Sequence, residues 1–502
     1  MDNEPRVEPA PNPTPQSVSA NSITKNELYE VDKEAYENDI DLSDRNGSPD
    51  SETEGASQPV FRTYRRRWFG IVQMFLLNLA VNWGWLTFAP VSKQAAEYYG
   101  TSKTGVNWLS IAYQFAFCLC APFTIKLLNL GPKPSFMAAS AFLLVGNWVR
   151  YAGSHSPHGG TYSLVVVAQV LIGLAQPFIL SAPTCYSDMW FTERGRVVAT
   201  ALATLSNPLG AALAQLITPF WVNDAKDISK AVLYVSIIAS VASIPTFFIP
   251  AAPPTPVSHT SSVRRPDLIT SVKMVCRSPE IWLVLIPFAT YIGLFNNVSS
   301  LLDQMMEPYG ISEDQAGIGG AVLIVVGLLS SAVTSPIFDR HKIFLHALKC
   351  GVPIISIMYI VFIWMPQTGH IIGPYIVLGV LGAASFSIIP VALEFLAELS
   401  YPVGSEITST ISWSLGQLFG ACFIVICDAL KADEHAHPPH NMKRSLIFQA
   451  IVGAVVVPLP LMLGLFGRTE KLILKRTVSA SAFQTPGNTT QGATVDENEQ
   501  SV

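Results

Sequence analysis

Twelve apolar stretches, each long enough to cross a lipid bilayer, constrain this chain more than any other feature. They lie at 68–91, 106–128, 134–152, 162–188, 196–221, 231–250, 281–305, 316–338, 343–365, 372–396, 405–430 and 445–467. A helix needs about 20 apolar residues to span a hydrocarbon core of about 30 Å. Only 13% of the 502 residues are charged, and soluble helices of this length would lack the charged face that water requires. The sequence therefore predicts an all-α membrane protein.

The basic residues of the loops predict the orientation of the chain. One alternating set of loops carries most of them, among them Arg65, Arg66, Arg67, Arg264, Arg265 and Arg340. The opposite loops carry few, such as Lys93 and Lys226. Because short cytosolic loops collect Lys and Arg, we expect both termini in the cytosol.

Polar segments divide the chain into five parts. We predict a disordered acidic cytosolic tail at 1–60, a six-helix half at 61–250, a cytosolic linker at 251–279, a second six-helix half at 280–467 and a disordered cytosolic tail at 468–502. The first tail is acidic and rich in Ser and Pro, a composition that buries too little apolar surface to fold. Two six-helix halves joined by a polar link are the layout of a major facilitator transporter.

Three amides share one predicted depth. Gln176 and Asn207 lie on either side of the charged turn at 191–196, each roughly 22 Å from it at the helical rise. Both are therefore near the middle of a bilayer, and Gln417 lies at a similar distance from its own turn. Polar side chains at that depth either form a substrate site or link helices by hydrogen bonds. The amides alone leave both interpretations open.

The first predicted helix carries Trp83 and Trp85. Residues two apart on a helix face different sides, so we expect at most one of the two to point into a central path. A tryptophan face there is able to hold a cationic head group through cation–π attraction.

Charged residues predict the gates and the driving force. The loop PIFDRHK holds Asp339 and Arg340, which we predict as a gating ion pair or helix-end residues, with a substrate contact as the alternative. No carboxylate is predicted at the midplane, where proton-driven carriers keep an acid relay, and this favours a facilitative carrier. No Lys or Arg is predicted deep in a helix either.

Several kinds of function are not expected. The HAHPPH run at 435–440 is typical of a solvated loop, since its spacing is loose for a metal site. No phosphate-binding Gly-rich loop, zinc-hydrolase helix or nucleophile elbow occurs in a fitting context. We expect no enzyme, no cofactor, no metal site and no nucleic-acid partner. The expected partners of this monomer are the lipid bilayer and a small-molecule substrate.

Seven motifs are similar to those of the feline leukaemia virus subgroup C receptor-related transporters, which are major facilitators. They are RRRW, WLTFAP, NWLSIAYQ, AQPFILSAP, SNPLG, SSLLDQ and EFLAELSYPVGSE, and the likeness covers about 65–467. LATLSNPLG and APPTP most resemble the branch of major facilitator superfamily domain-containing protein 7. The resemblance implies the major facilitator fold and transport of haem, choline or ethanolamine.

The resemblance also implies a site. The family's choline carriers use an aromatic cage from the first and seventh helices and amides from the fourth, fifth and eleventh. This places Trp85, Gln176, Asn207 and Gln417 in the substrate site. Asn296 stands where the choline carriers have a tyrosine, so the cage lacks one of its aromatic walls.

We expect a multi-pass transporter that moves a small polar or cationic metabolite, of the choline or ethanolamine type, by alternating access. One alternative is a haem or porphyrin exporter, which should need basic walls. Another is a non-transporting membrane receptor or sensor, for which the acidic first tail would be the signalling segment. The plasma membrane is the default location, and a vacuolar or other organelle membrane is the alternative.

Overall fold

The computed structural model describes residues 64–155, 160–255, 268–341, 343–401 and 403–463, without the side chains of residues 193, 194, 197 and 339. Within these ranges the chain forms helices and turns and no strand. The predicted tails at 1–60 and 468–502 lie outside the described residues, as does 256–267 of the predicted linker. The division into two halves and a linker stays a prediction.

Sixteen α-helices follow one another along the described chain. They are α1 (Arg67–Leu86), α2 (Ser92–Tyr99), α3 (Lys103–Asn129), α4 (Pro132–Ser154), α5 (Tyr162–Leu180), α6 (Ala182–Trp190), α7 (Glu193–Trp221), α8 (Ile228–Ser243), α9 (Leu268–Arg277), α10 (Pro279–Met306), α11 (Glu313–His341), α12 (Phe344–Phe362), α13 (Ile372–Ser400), α14 (Ser405–Ala429), α15 (Lys443–Val455) and α16 (Pro458–Leu461). We refer to α1–α8 as the N-terminal helices and to α10–α16 as the C-terminal helices.

Ten helical segments of the described chain are long and apolar enough to cross a membrane. Some of them join two elements, as α1 does with α2 and α5 with α6. Two further helices, α4 and α7, have 23 and 29 residues, which also suffices for a span, but they are not among the ten. The all-helical membrane fold is confirmed, and the number of twelve spans stays a prediction.

Large apolar side chains point outward from the long helices. Leu119 and Phe123 of α3 are 74% and 65% exposed, and Leu329 and Val333 of α11 are each 65% exposed. Soluble monomers rarely expose apolar surfaces of this kind, whereas the lipid tails of a membrane are able to cover them. Polar side chains such as Gln114 are buried inside instead, so the bundle has the polarity of a membrane protein.

Glycines bring the helices into close contact. A Cβ at Gly210 of α7 would lie 2.1 Å from the carbonyl oxygen of Leu79 on α1, and one at Gly382 of α13 would lie 1.8 Å from that of Leu323 on α11. No side chain fits there, so the backbones touch, as is common where membrane helices pack. The first of these contacts holds α7 against α1 three residues from Asn207.

Candidate functional site

A narrow cavity lies between the N-terminal and the C-terminal helices, with a volume of about 30 Å³. That volume is below the range of small-molecule sites, because the walls stand close together in this conformation. Its lining includes Trp85, Gln176, Asn207, Asn296 and Gln417. The structure therefore brings all five residues of the predicted substrate site to one place, from five helices. Their role in binding stays a prediction.

Two tryptophans line the cavity together with Phe295 and Phe386. Trp85 lines it and stacks on Tyr113 of α3, with ring centroids 6.1 Å apart. Trp83 instead stacks on Trp221 of α7, at 5.7 Å, because residues two apart on α1 face different sides. The second cavity tryptophan is Trp413 of α14, so each group of helices contributes one indole.

A buried arginine fixes the backbone at Trp85, close to where α1 ends. Arg150 of α4 donates to the carbonyl oxygen of Gly84 and to Oδ1 of Asn147, each at 2.7 Å. Gln169 of α5 donates to the carbonyl oxygen of Trp85 at 3.5 Å. A cation is favourable at a helix C-terminus, where carbonyl groups have no partner in the helix. The position of Trp85 therefore depends on α4 and α5.

Arg150 corrects the expectation that no Lys or Arg lies deep in a helix. It lies four residues before the end of α4, so sequence position placed it near the membrane surface. Its side chain is nevertheless fully buried, because the acceptors at the end of α1 face the interior. Its contacts among the described residues include neutral oxygens and the ring of Phe88, whose centroid is 5.7 Å away.

Asn78 links three helices next to the cavity. The helical path is interrupted at Ser181, between α5 and α6. Pro183 has no N–H to donate to the carbonyl of Ile179. Asn78 donates to that carbonyl oxygen at 3.4 Å and to that of Ala203 at 3.3 Å. Asn78 is thus an interhelical hydrogen-bonding residue.

The amides on the N-terminal side of the cavity have different roles. The side-chain nitrogen of Asn82 on α1 donates to the backbone oxygen of Asn207 at 2.7 Å. The side-chain oxygen of Asn82, Oδ1, takes no part in that bond. Asn207 in turn donates to Oδ1 of Asn78 at 3.4 Å. Gln176 is 1% exposed and lines the cavity. Gln176 is therefore the amide of this group that is freest to contact a solute.

A chain of amides crosses from the C-terminal to the N-terminal helices. Nδ2 of Asn296 donates to Oε1 of Gln417 at 3.0 Å and to Oε1 of Gln114 at 3.4 Å. A Cβ at Gly420 would lie 2.2 Å from Oε1 of Gln114, so only glycine permits this approach. The sequence prediction omitted Gln114, although its place near the middle of α3 indicated the same depth as the other amides.

Four polar atoms of the cavity lining have no hydrogen-bond partner among the described residues. They are Oδ1 of Asn82, Oε1 of Gln176, Nε1 of Trp85 and Nε1 of Trp413. Buried polar atoms are normally paired, so two acceptors and two donors are available here to a polar solute. No charged side chain is among the described residues that line the cavity.

One end of the bundle is closed by polar contacts between the two groups of helices. Ser92 donates to Oδ2 of Asp303 at 2.7 Å, and Lys103 forms an ion pair with Glu307. Lys431 follows α14 near this end. Its burial, together with the positive charge of Lys103, lowers the pKa of its ammonium group. The charged groups here are therefore partly removed from water.

A second set of contacts lies towards the opposite end. Ser405 of α14 donates to Oδ2 of Asp188 on α6 at 2.7 Å, and the other carboxylate oxygen of Asp188 pairs with Arg196 at 3.0 Å. The N-terminal and C-terminal helices thus touch at both ends and at the amide chain between them.

The predicted gating pair lies at the end of α11. Arg340 is exposed there, whereas the side chain of Asp339 lies outside the described residues. The pair therefore stays a prediction. The buried pair of Asp188 and Arg196 was not predicted as a gate, and the charged turn between α6 and α7 is the signal that pointed to it.

A polar vestibule lies outside the contact of Lys103 with Glu307. Carboxylates outnumber lysines in its lining, which holds Glu97, Asp224, Glu307, Glu313 and Asp314 against Lys93 and Lys226. A concave surface with an excess of one charge concentrates ions of the opposite sign. This vestibule attracts cations.

Residues 74–422 match the family model of the Major Facilitator Superfamily. The Escherichia coli fucose:proton symporter FucP has a similar structure, with a TM-score of 0.56 and 13% identity over 79% of this chain and 98% of that chain. At this identity the likeness shows the fold alone. The superfamily consists of transporters rather than enzymes, and the chain is a multi-pass membrane protein.

Curated relatives narrow the family. Solute carrier family 49 member A3 of Danio rerio is 32% identical over 395 residues, which are 77% of this chain and 83% of that protein. The human choline/ethanolamine transporter FLVCR2 is 25% identical over 399 residues, 76% of this chain and 75% of that protein. The predicted family is confirmed, and the branch within it stays a prediction. The chain belongs to the major facilitator superfamily of transporters and, within it, to solute carrier family 49.

Proposed function

We propose that this protein carries a small polar or cationic metabolite, of the choline or ethanolamine type, across a membrane by alternating access. The observation that carries the proposal is the cavity between the two groups of helices, in which two indoles and several amides meet without a charged side chain. Trp85 and Trp413 would face the cationic group, and Gln176, Asn207, Asn296 and Gln417 would orient the rest of the solute.

The chemistry of the cavity favours a cation over an anion. An aromatic face attracts a cation by up to about 2 kcal/mol when both are removed from water, and four aromatic side chains line this cavity, those of Trp85, Trp413, Phe295 and Phe386. An anion would find no Lys or Arg among the described lining residues. The acidic vestibule favours the same class of solute because it concentrates cations at one end of the bundle.

The names of the relatives support the same class. FLVCR2 of Homo sapiens and FLVCR1 of Felis catus are both choline/ethanolamine transporters by name. Their similarity to this chain extends over about three quarters of it, 76% in each case.

The cavity also supports facilitative transport. Major facilitators move solutes by rocking one group of helices against the other around a central site. The contacts at Asp303 and Asp188 would open in turn. No acid lies among the described lining residues, so the solute itself has no proton carrier beside it.

A haem exporter is less well supported by the same cavity. Haem carries two carboxylates, and the one buried arginine near the cavity, Arg150, already donates to the carbonyl of Gly84 and to Asn147. We further propose a monomer in the plasma membrane with both termini in the cytosol. Asp339 and Arg340 would belong to its cytosolic gate.

Uptake of labelled choline and ethanolamine, in cells that lack their own carriers, tests the proposal. We expect uptake by the wild type and a loss of about tenfold or more in Trp85→Ala, since a desolvated cation–π contact contributes on the order of 2 kcal/mol. Trp108→Ala is the matched control, because Trp108 is 47% exposed on the outer face of α3. No uptake of either amine by the wild type at normal surface expression would refute the proposal.

A further inference from the structure

We infer that the cavity recognises a primary ammonium group in preference to a quaternary one, through the unpaired oxygens of Asn82 and Gln176. The inference rests on the proposed function and specifies its substrate. It concerns the number of hydrogen-bond donors on the solute. Two solutes of the same charge differ in this number.

The oxygen of Asn82 is fixed in place. Its Nδ2 donates to the backbone oxygen of Asn207 at 2.7 Å, and only the nitrogen of the amide has a proton for that bond. The assignment of the amide is therefore not interchangeable, and Oδ1 is the atom left without a partner. Asn82 is 1% exposed, so bulk water does not compete for this oxygen.

Gln176 adds a second acceptor from α5. It is 1% exposed and lines the same cavity, and its Oε1 has no partner among the described residues. Two carbonyl oxygens on neighbouring helices require two N–H or O–H donors from the solute. A primary ammonium offers three N–H donors, and a trimethylammonium offers none.

The opposite requirement comes from the indoles. Nε1 of Trp85 and Nε1 of Trp413 are donors without a partner among the described residues, and they lie on the N-terminal and C-terminal helices respectively. An indole N–H donates and never accepts, so the solute needs an acceptor oxygen as well. A short primary amino alcohol meets both requirements, because its ammonium group donates to the two amide oxygens and its hydroxyl oxygen accepts from the indoles.

The neutral lining makes these hydrogen bonds decisive. No carboxylate among the described lining residues attracts the cation directly, and the aromatic faces attract methylated and unmethylated ammonium groups alike. Primary and quaternary ammonium solutes therefore differ mainly in whether they form hydrogen bonds with the oxygens of Asn82 and Gln176. A site built to bond a donor discriminates strongly against an analogue that lacks it, because its buried groups then stay unpaired.

Uptake of four amines tests this inference: ethanolamine, N-methylethanolamine, N,N-dimethylethanolamine and choline. Methylation removes the N–H donors one at a time and leaves the hydroxyl group unchanged. We expect kcat/KM to fall along the series, by about tenfold or more from ethanolamine to choline. Gln176→Leu should lower the uptake of ethanolamine more than that of choline, and so reduce the ratio between them.

Gln367→Leu is the matched control, because Gln367 is exposed and donates to the carbonyl of Ile363 at the far end of α12. The ratio should be unchanged there. Thermal-shift titration of the purified wild type with the same four amines gives the order of binding without any variant, should Gln176→Leu fail to reach the membrane.

Choline taken up and bound as well as ethanolamine would overturn the inference and leave the proposed function intact. An unchanged ratio in a well-expressed Gln176→Leu variant would overturn the assignment to Gln176. No uptake of any of the four amines would instead overturn the proposed function, so the two failures are distinguishable.

Discussion

Asn296 and Gln114 are joined by a hydrogen bond of 3.4 Å that connects the C-terminal to the N-terminal helices beside the cavity. Asn296 also bonds Gln417, and both line the cavity, so a solute that contacts either one competes directly with the bond to Gln114. Binding is thereby coupled to a contact that must break when the two groups of helices move apart.

Gly420→Ala tests this coupling. The new Cβ would lie 2.2 Å from Oε1 of Gln114 and 2.9 Å from Nδ2 of Asn296, so the amides cannot keep their positions. We expect a loss of uptake with little loss of protein, since overpacking typically costs about 1–3 kcal/mol. The double variant Gly420→Ala/Gln114→Ala should recover part of the uptake, because it removes the clashing side chain. A double variant less active than Gly420→Ala alone would contradict this explanation.

Arg150→Gln should destabilise the protein. The substitution leaves the carbonyl of Gly84 and the amide of Asn147 without their donor, and unpaired buried groups cost about 1–3 kcal/mol each. We expect a lower midpoint of thermal unfolding in detergent, measured by size-exclusion recovery after heating. Lys126→Gln is the control, because Lys126 is exposed at the end of α3. Equal midpoints for the two variants would show that Arg150 does not support α1.

A disulfide between positions 92 and 303 should stop transport. Oγ of Ser92 lies 2.7 Å from Oδ2 of Asp303, so the two side chains meet across this end of the bundle. We expect Ser92→Cys/Asp303→Cys to lose uptake on oxidation and to regain it after reduction. Each single variant is a control for the native cysteines. Full uptake by the cross-linked protein would mean that this end of the bundle does not open during transport.

The sequence predicted which amides lie together because depth in a membrane is measured in residues. Gln176, Asn207 and Gln417 were placed together by the helical rise and the thickness of a bilayer, and the structure puts all three on one cavity. Asn296 was placed there by resemblance alone.

The partners of these residues could not be predicted in the same way. The bond of Asn296 to Gln114 depends on how closely α14 approaches α3. This close approach is possible because Gly420 has no side chain. The burial of Arg150 was not predicted either, because counting residues gives the depth of a Cα atom, while a long side chain turns toward the acceptors within its reach. Residue counting along a helix therefore predicts the depth of a polar residue, whereas its hydrogen-bond partners depend on how the helices pack.

The neutral lining of the cavity has an electrical consequence. Under the proposed function, a monovalent cation carried through it without a coupling ion would move one net charge in each transport cycle, since no carboxylate lies among the described lining residues. Moving that charge through a membrane potential releases about 2.3 kcal/mol per 100 mV. A carrier without any coupling ion would therefore accumulate its solute on the negative side, at equilibrium on the order of fiftyfold for 100 mV.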